Sequence, residues 1–311
     1  PAEAKGIVRR EVTEMITPGT VLADSILMKH RNNFLVALVD AGTDSFGMAV
    51  SDVSTGEMST QLVPASELRA ELGRLEPSEL LLPYSLETSD QLTWAAGPSI
   101  PRTLRADWMF DADLSTDALL NSFGVHSLDG FGFQSEDQSL VRVSGALVQY
   151  LKEIRPGGVL HLKPPRIRRP GQVMLLDEMT RRNLELIEPL RTGEEGGTLL
   201  DVLDVTTTPM GGRLLRRWVL EPLIHMEDIA VRHGAVEEFV ERPEVRSRIR
   251  GSLSGITDLE RLAGKVGTGR VTPRDLAGLR RSLDQLPEIQ AAGIEARDSL
   301  IRECAVDKDC L

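Results

Sequence analysis

A chain of 311 residues with 41% apolar and 27% charged residues is long enough for two globular domains. No stretch approaches the ~18 consecutive apolar residues of a membrane-spanning helix. The excess of 47 acidic over 36 basic residues, a net charge of -11, sets most of the surface against nucleic acid, whose affinity rests on neutralising phosphates. The charge is uneven: residues 1–155 carry 12 Lys and Arg against 22 Asp and Glu, residues 156–311 carry 24 against 25. Two domains with different surfaces are expected. The opening Pro1-Ala2-Glu3-Ala4-Lys5 has neither the basic region nor the apolar stretch of a signal peptide, so a cytoplasmic location is expected. Cys304 and Cys310 have no His or Cys near enough in sequence to complete a zinc site and read as free thiols.

In chain order, residues 8–16 read as a strand before the turn Thr17-Pro18-Gly19-Thr20. Residues 34–39 form an unbroken apolar run, the pattern of a strand buried on both faces. Residues 46–53 and 58–63, joined through Ser54-Thr55-Gly56-Glu57, complete an antiparallel meander. Ser66 then starts a helix with Leu68, Leu72 and Leu75 on one side, and Glu79-Leu80-Leu81-Leu82-Pro83 is a short buried strand added in parallel. From Ser115 onward helices dominate: a short one over 115–123 and a long one over 137–154 with an apolar stripe. Three prolines among residues 164–170 forbid a helix there and mark a linker. Beyond it, Thr198 with Asp201 and Thr272 with Asp275 are capping boxes, and Thr208-Pro209 places proline at a first helical position. Met210, Leu214, Leu215, Trp218 and Val219 stripe the helix that follows, and later stripes likewise cover one side only. The fold class is therefore α/β over residues 1–165, with a long closing helix, followed by an all-α, elongated domain over 166–311 that needs neighbours.

Chemistry is sparse. No Gly-x-x-x-x-Gly-Lys-Ser/Thr phosphate loop occurs, and the five histidines are scattered. Asp40 and Asp52 lie on successive strands, which keeps a metal-dependent nuclease of the ribonuclease H type as an alternative. Such a site needs a third carboxylate, and Asp107 is the only later candidate near a predicted strand. Arg166, Arg168, Arg169, Arg181 and Arg182 are candidate phosphate contacts, as are Arg213, Arg216 and Arg217; on helices interleaved with acids such groups more often pair at i,i+4.

The stretch Leu175-Leu176-Asp177-Glu178-Met179-Thr180-Arg181-Arg182-Asn183-Leu184-Glu185-Leu186 is followed by Thr198-Leu199-Leu200-Asp201-Val202-Leu203-Asp204. Next comes Thr208-Pro209-Met210-Gly211-Gly212-Arg213-Leu214-Leu215-Arg216-Arg217-Trp218. In this order they resemble the lever domain of the MutS family of DNA mismatch repair proteins. Asp52-Val53-Ser54-Thr55-Gly56-Glu57 upstream is similar to the hairpin of that family's connector domain, which has a ribonuclease H-like fold. The resemblance spans nearly the whole chain and implies an internal segment, connector plus first part of the lever. Phe133-Gln134-Ser135-Glu136 has the wrong spacing for that family's Phe-x-Glu mismatch-reading motif. The implied role is non-catalytic, a relay between ATP state and DNA grip that also docks the partner MutL. Asp117 and Asn121, on one face of the 115–123 helix, are the candidate docking residues. ATP and magnesium, mismatched DNA and homodimer formation are implied for other domains of the parent. The incomplete helical part is expected to self-associate or lose order towards Leu311.

Overall fold

A computed structural model of the chain describes residues 15–97, 99–155, 161–190 and 196–306; the strand expected over 8–16 falls almost entirely outside them, as does Cys310. The three meander strands form as the apolar runs dictate: β1 (Leu35–Gly42), β2 (Ser45–Asp52) and β3 (Glu57–Pro64) pair antiparallel in sequence. After the helix α1 (Ala65–Leu75), β4 (Glu79–Pro83) returns parallel to β1. A second crossover through α2 (Asp90–Ala96) lays β5 (Arg102–Arg105) parallel to β4. Then α3 (Ala112–Phe123) and the long α4 (Gln138–Ile154) cover the opposite face.

Alternation along the strands builds two cores, one on each side of the sheet. Leu35, Ala37 and Val39 pack with Val143, Leu147 and Tyr150 of α4. Val36 and Leu38 pack with Leu68 and Leu72 of α1 and Leu92 of α2. All five consecutive β1 residues are therefore buried, as the unbroken run predicts.

The proline-rich segment differs from a plain linker. Arg166–Ile167 forms a short strand, β6, parallel to β3 at the sheet edge, with Arg166 opposite Ser59. The sheet order is β5-β4-β1-β2-β3-β6. Residues later than α4 thus finish the sheet that the first half began.

The remaining described chain is helical: α5 (Glu178–Asn183), α6 (Leu199–Leu203), α7 (Pro209–Leu220), α8 (Met226–Glu241), α9 (Pro243–Leu253), α10 (Leu259–Gly267), α11 (Pro273–Leu283), α12 (Leu286–Ile294) and α13 (Ser299–Val306). Both predicted capping boxes are present, at Thr198 with Asp201 and at Thr272 with Asp275, and Thr208 caps α7 with Pro209 in its first turn. The helices bury little. Val202 and Met226 are each 73% exposed, and Val236, Val240 and Leu276 also face outward. Among the described residues no helix is long and apolar enough to cross a membrane.

Candidate functional site

The chemistry of this chain is concentrated where the sheet meets α7 and α10, and it is built from arginines. The apolar stripe expected to bury α7 does not do so: Leu214 and Trp218 are exposed, whereas Gly212 and Arg213 are buried. Arg213 turns inward with both terminal nitrogens met, while its Nε is buried without a hydrogen-bond partner. Its Nη1 donates to Asp258 Oδ2 at 2.7 Å and to the carbonyl of Lys29 at 3.0 Å, and its Nη2 donates to Asp258 Oδ1 at 2.8 Å and Glu260 Oε2 at 2.6 Å. Burial opposes the charge, but the two carboxylates more than offset it and the guanidinium is held more firmly protonated than usual.

Around this centre, further pairs join segments far apart in sequence. Glu76, in the left-handed conformation that ends α1, accepts from Arg216 of α7 at 2.7 Å and also from Arg31. Glu221, at the end of α7, forms an ion pair with Arg168 beside β6 at 2.9 Å and accepts from Arg74 of α1. Arg261 of α10 donates to the carbonyls of Met28 at 2.9 Å and Arg31 at 2.8 Å. Both glutamates sit where helix carbonyls are unsatisfied, a place that ordinarily favours cations, and two guanidiniums around each supply them. At Gly264 the backbone of α10 comes so close to the carbonyl of Ser54 that a Cβ would lie 2.7 Å from that oxygen.

The residues singled out from sequence fall in different places. Arg181 is 6% exposed and packs on α1, where a Cβ at Gly73 would lie 2.5 Å from its Nη2. Arg168 is engaged with Glu221. Arg169 grips Asp137 through two bonds of 2.7 and 2.6 Å, and this hydrogen bonding holds the Asp137 carboxyl below its ordinary range. Arg166 and Arg182 are exposed. Asp117 and Asn121 are both exposed, one turn apart on α3, which begins three residues earlier than predicted.

The nuclease alternative is overturned by strand register. Asp40 lies opposite Phe46 at one end of the β1–β2 hairpin, and Asp52 ends β2 six residues further on, about 20 Å away at the rise of an extended strand. Asp40 accepts the Gly42 N–H at 2.7 Å, a turn contact. Asp52 is fully buried and its oxygens are taken by Asn32 Nδ2, the Asn33 N–H, and the N–H and hydroxyl of Ser54. Asp107 accepts the Ser85 N–H at 3.0 Å. No group of three potential metal ligands occurs among the described residues.

Comparison with known proteins agrees with this architecture. Residues 33–163 match the family model described as MutS domain II, and residues 179–307 match MutS domain III. The DNA mismatch repair protein MutS of Chlorobaculum tepidum is 38% identical over 315 aligned residues, covering 100% of this chain and 36% of the relative. That of Thermosynechococcus vestitus is 42% identical over 302 residues, covering 94% and 34%. That of Symbiobacterium thermophilum is 40% identical over 325 residues, covering 100% and 36%. The chain thus spans about a third of the length of these curated relatives. With all but the last strand of its sheet in one matched domain, the later helices in the other and Arg74 and Arg216 tying the two, the chain belongs to the MutS family of DNA mismatch repair proteins, as its domains II and III.

Proposed function

We propose that this chain is the non-catalytic connector and lever segment of a MutS-type mismatch repair protein, passing changes of ATP state to the grip on mismatched DNA. ATP and magnesium belong, on this reading, to an ATPase domain outside these residues, since no phosphate-loop sequence occurs within them. The observation that carries the proposal is the ion-paired junction. A relay needs stiff bodies joined so that movement of one biases the other, and Arg213, Arg216 and Arg261 fasten helices α7 and α10 to the end of α1 and to the segment before β1. The strand order, a parallel β5-β4-β1 flanked by antiparallel β2 and β3, supports a ribonuclease H-like connector.

Docking of MutL is proposed for the exposed face of α3 that carries Asp117 and Asn121. Charge reversal at Asp117 then weakens capture of MutL, and unchanged capture removes that face. Homodimer formation, like ATP hydrolysis, is assigned to other parts of the parent.

The relay is tested in a complete MutS-type protein carrying this segment. Arg213→Ala is expected to keep mismatch affinity without nucleotide and basal ATP hydrolysis within about twofold, while the ATP-induced fall in mismatch affinity shrinks by about tenfold, some 1.4 kcal/mol of coupling. Nucleotide-dependent release equal to that of the unaltered protein rejects the proposal.

A further inference from the structure

Between the β3–β6 edge of the sheet, the end of α1 and the inner side of α7 lies a cavity of about 1100 Å³. Among the described residues, nine of those lining it are Lys or Arg and five are Asp or Glu, in a chain whose net charge is -11. Local charge of the sign opposite to the whole concentrates counter-ions, more strongly where protein walls exclude water.

The surplus is not absorbed by the ion pairs described above. Glu76 is already divided between Arg31 and Arg216, and Glu221 between Arg74 and Arg168. Among the described residues, Lys163 and Arg166 have no carboxylate partner within ion-pair distance, and Arg217 reaches Glu57 only at 3.7 Å. Arg232 has the face of Trp218 at 3.9 Å in place of a carboxylate. These groups line the cavity from two supports. Lys163 and Arg166 are carried on backbone locked to β3, through the Lys163 N–H to the Gly56 carbonyl at 2.7 Å and the pairing of Arg166 with Ser59. Arg217 belongs to α7.

We propose that this cavity is a binding site for a phosphate chain, either a free inorganic polyphosphate or the polyphosphate tail of a nucleotide. Several cations lining one cavity call for an extended ligand with charge at more than one point, which a single monovalent anion does not supply. Guanidinium forks match the oxygens of phosphate, and the chain's successive negative centres satisfy Lys163 and Arg166 beside the sheet edge and Arg217 of α7. The duplex backbone is a poorer fit, because the cavity lies within the junction and the surrounding surface of residues 1–155 is acidic. The proposal is independent of the relay: it requires only that the cavity be as charged as it is.

The experiment is thermal unfolding and calorimetric titration of the 311-residue chain with sodium tripolyphosphate, metal-free ATP, adenosine and a short DNA duplex, each against sodium chloride at matched ionic strength. Tripolyphosphate is expected to raise the melting temperature saturably beyond the salt control, and adenosine is expected to do nothing. ATP acting as well as tripolyphosphate identifies the nucleotide tail as an accepted source, and ATP acting more weakly identifies the free chain. The exposed pair Lys163→Ala with Arg166→Ala, checked for an unchanged circular dichroism spectrum, is expected to lower tripolyphosphate affinity at least tenfold. Arg217→Ala on α7 is expected to lower it as well. No shift beyond salt, affinity unchanged in these variants, or binding of duplex without tripolyphosphate overturns the proposal.

Discussion

Arg213 and Glu79 show how single charged residues organise this chain from within. Glu79, at the start of β4, is fully buried, yet its two oxygens accept from the Thr17 hydroxyl at 2.5 Å, the Gly19 N–H at 2.9 Å, the Thr103 hydroxyl at 2.6 Å and the Tyr150 hydroxyl at 2.8 Å. One carboxylate thereby fastens the Thr17-Pro18-Gly19-Thr20 turn, β5 and α4 to the sheet. Glu79→Ala orphans several of these donors at once and is expected to cost about 3 kcal/mol, measured by urea unfolding. A loss under about 1 kcal/mol would mean that water replaces the carboxylate freely. Neither residue's role is legible in sequence. Arg213 lies 45 positions from Asp258, and Glu79 is 71 from Tyr150, so pairing rules that look one helical turn away find nothing. The same blindness makes Arg168, Arg169 and Arg181 resemble a free basic patch, when two hold carboxylates and the third is buried.

At the scale of elements, local signals carry far. The meander, the first crossover and the capped helices were readable because each rests on a short-range cause: alternation, a proline in a first turn, a threonine oxygen meeting an N–H three residues on. Two strands were not. β5 holds two arginines in four residues, and β6 is two residues long inside a proline-rich stretch, so both owe their strand form to the neighbour they pair with. The stripe of α7 is likewise a poor guide to its buried face, since Leu214 and Trp218 stay exposed beside the cavity while Arg213 finds acids inside. Helix α10 offers a direct check on the junction. Because Gly264 is pressed against the Ser54 carbonyl, Gly264→Val must push α10 away from the β2–β3 turn. Loss of about 2 to 3 kcal/mol of stability and faster amide exchange in residues 52–56 are expected, whereas the same change at Gly251, with open space around it, should cost under about 1 kcal/mol.

Across the whole molecule, charge and apolar surface are segregated. The net of -10 over residues 1–155 keeps the sheet half hydrated, while the near-neutral helical half presents Val202, Met226, Val236 and Val240 to solvent. Neither like-charge repulsion nor a packed interior protects those side chains from one another on different molecules. The isolated chain is expected to sediment with a mass that rises with concentration, and more so as salt screens the acidic half. A constant monomeric mass from low to high concentration would show that the stripes are satisfied.

The short strand β6 also bears on how this protein can be dissected. A gene fragment ended at residue 165, where proline content suggests a clean cut, strips β3 of its outer partner and leaves its N–H and C=O groups to find another. The natural remedy for such an open edge is a second molecule, strand to strand. Extending the fragment by a few residues, through Arg169 and its grip on Asp137, would cap the sheet and pin the cap to α4. The ends of a domain, judged by solubility, thus lie in the segment that composition would discard.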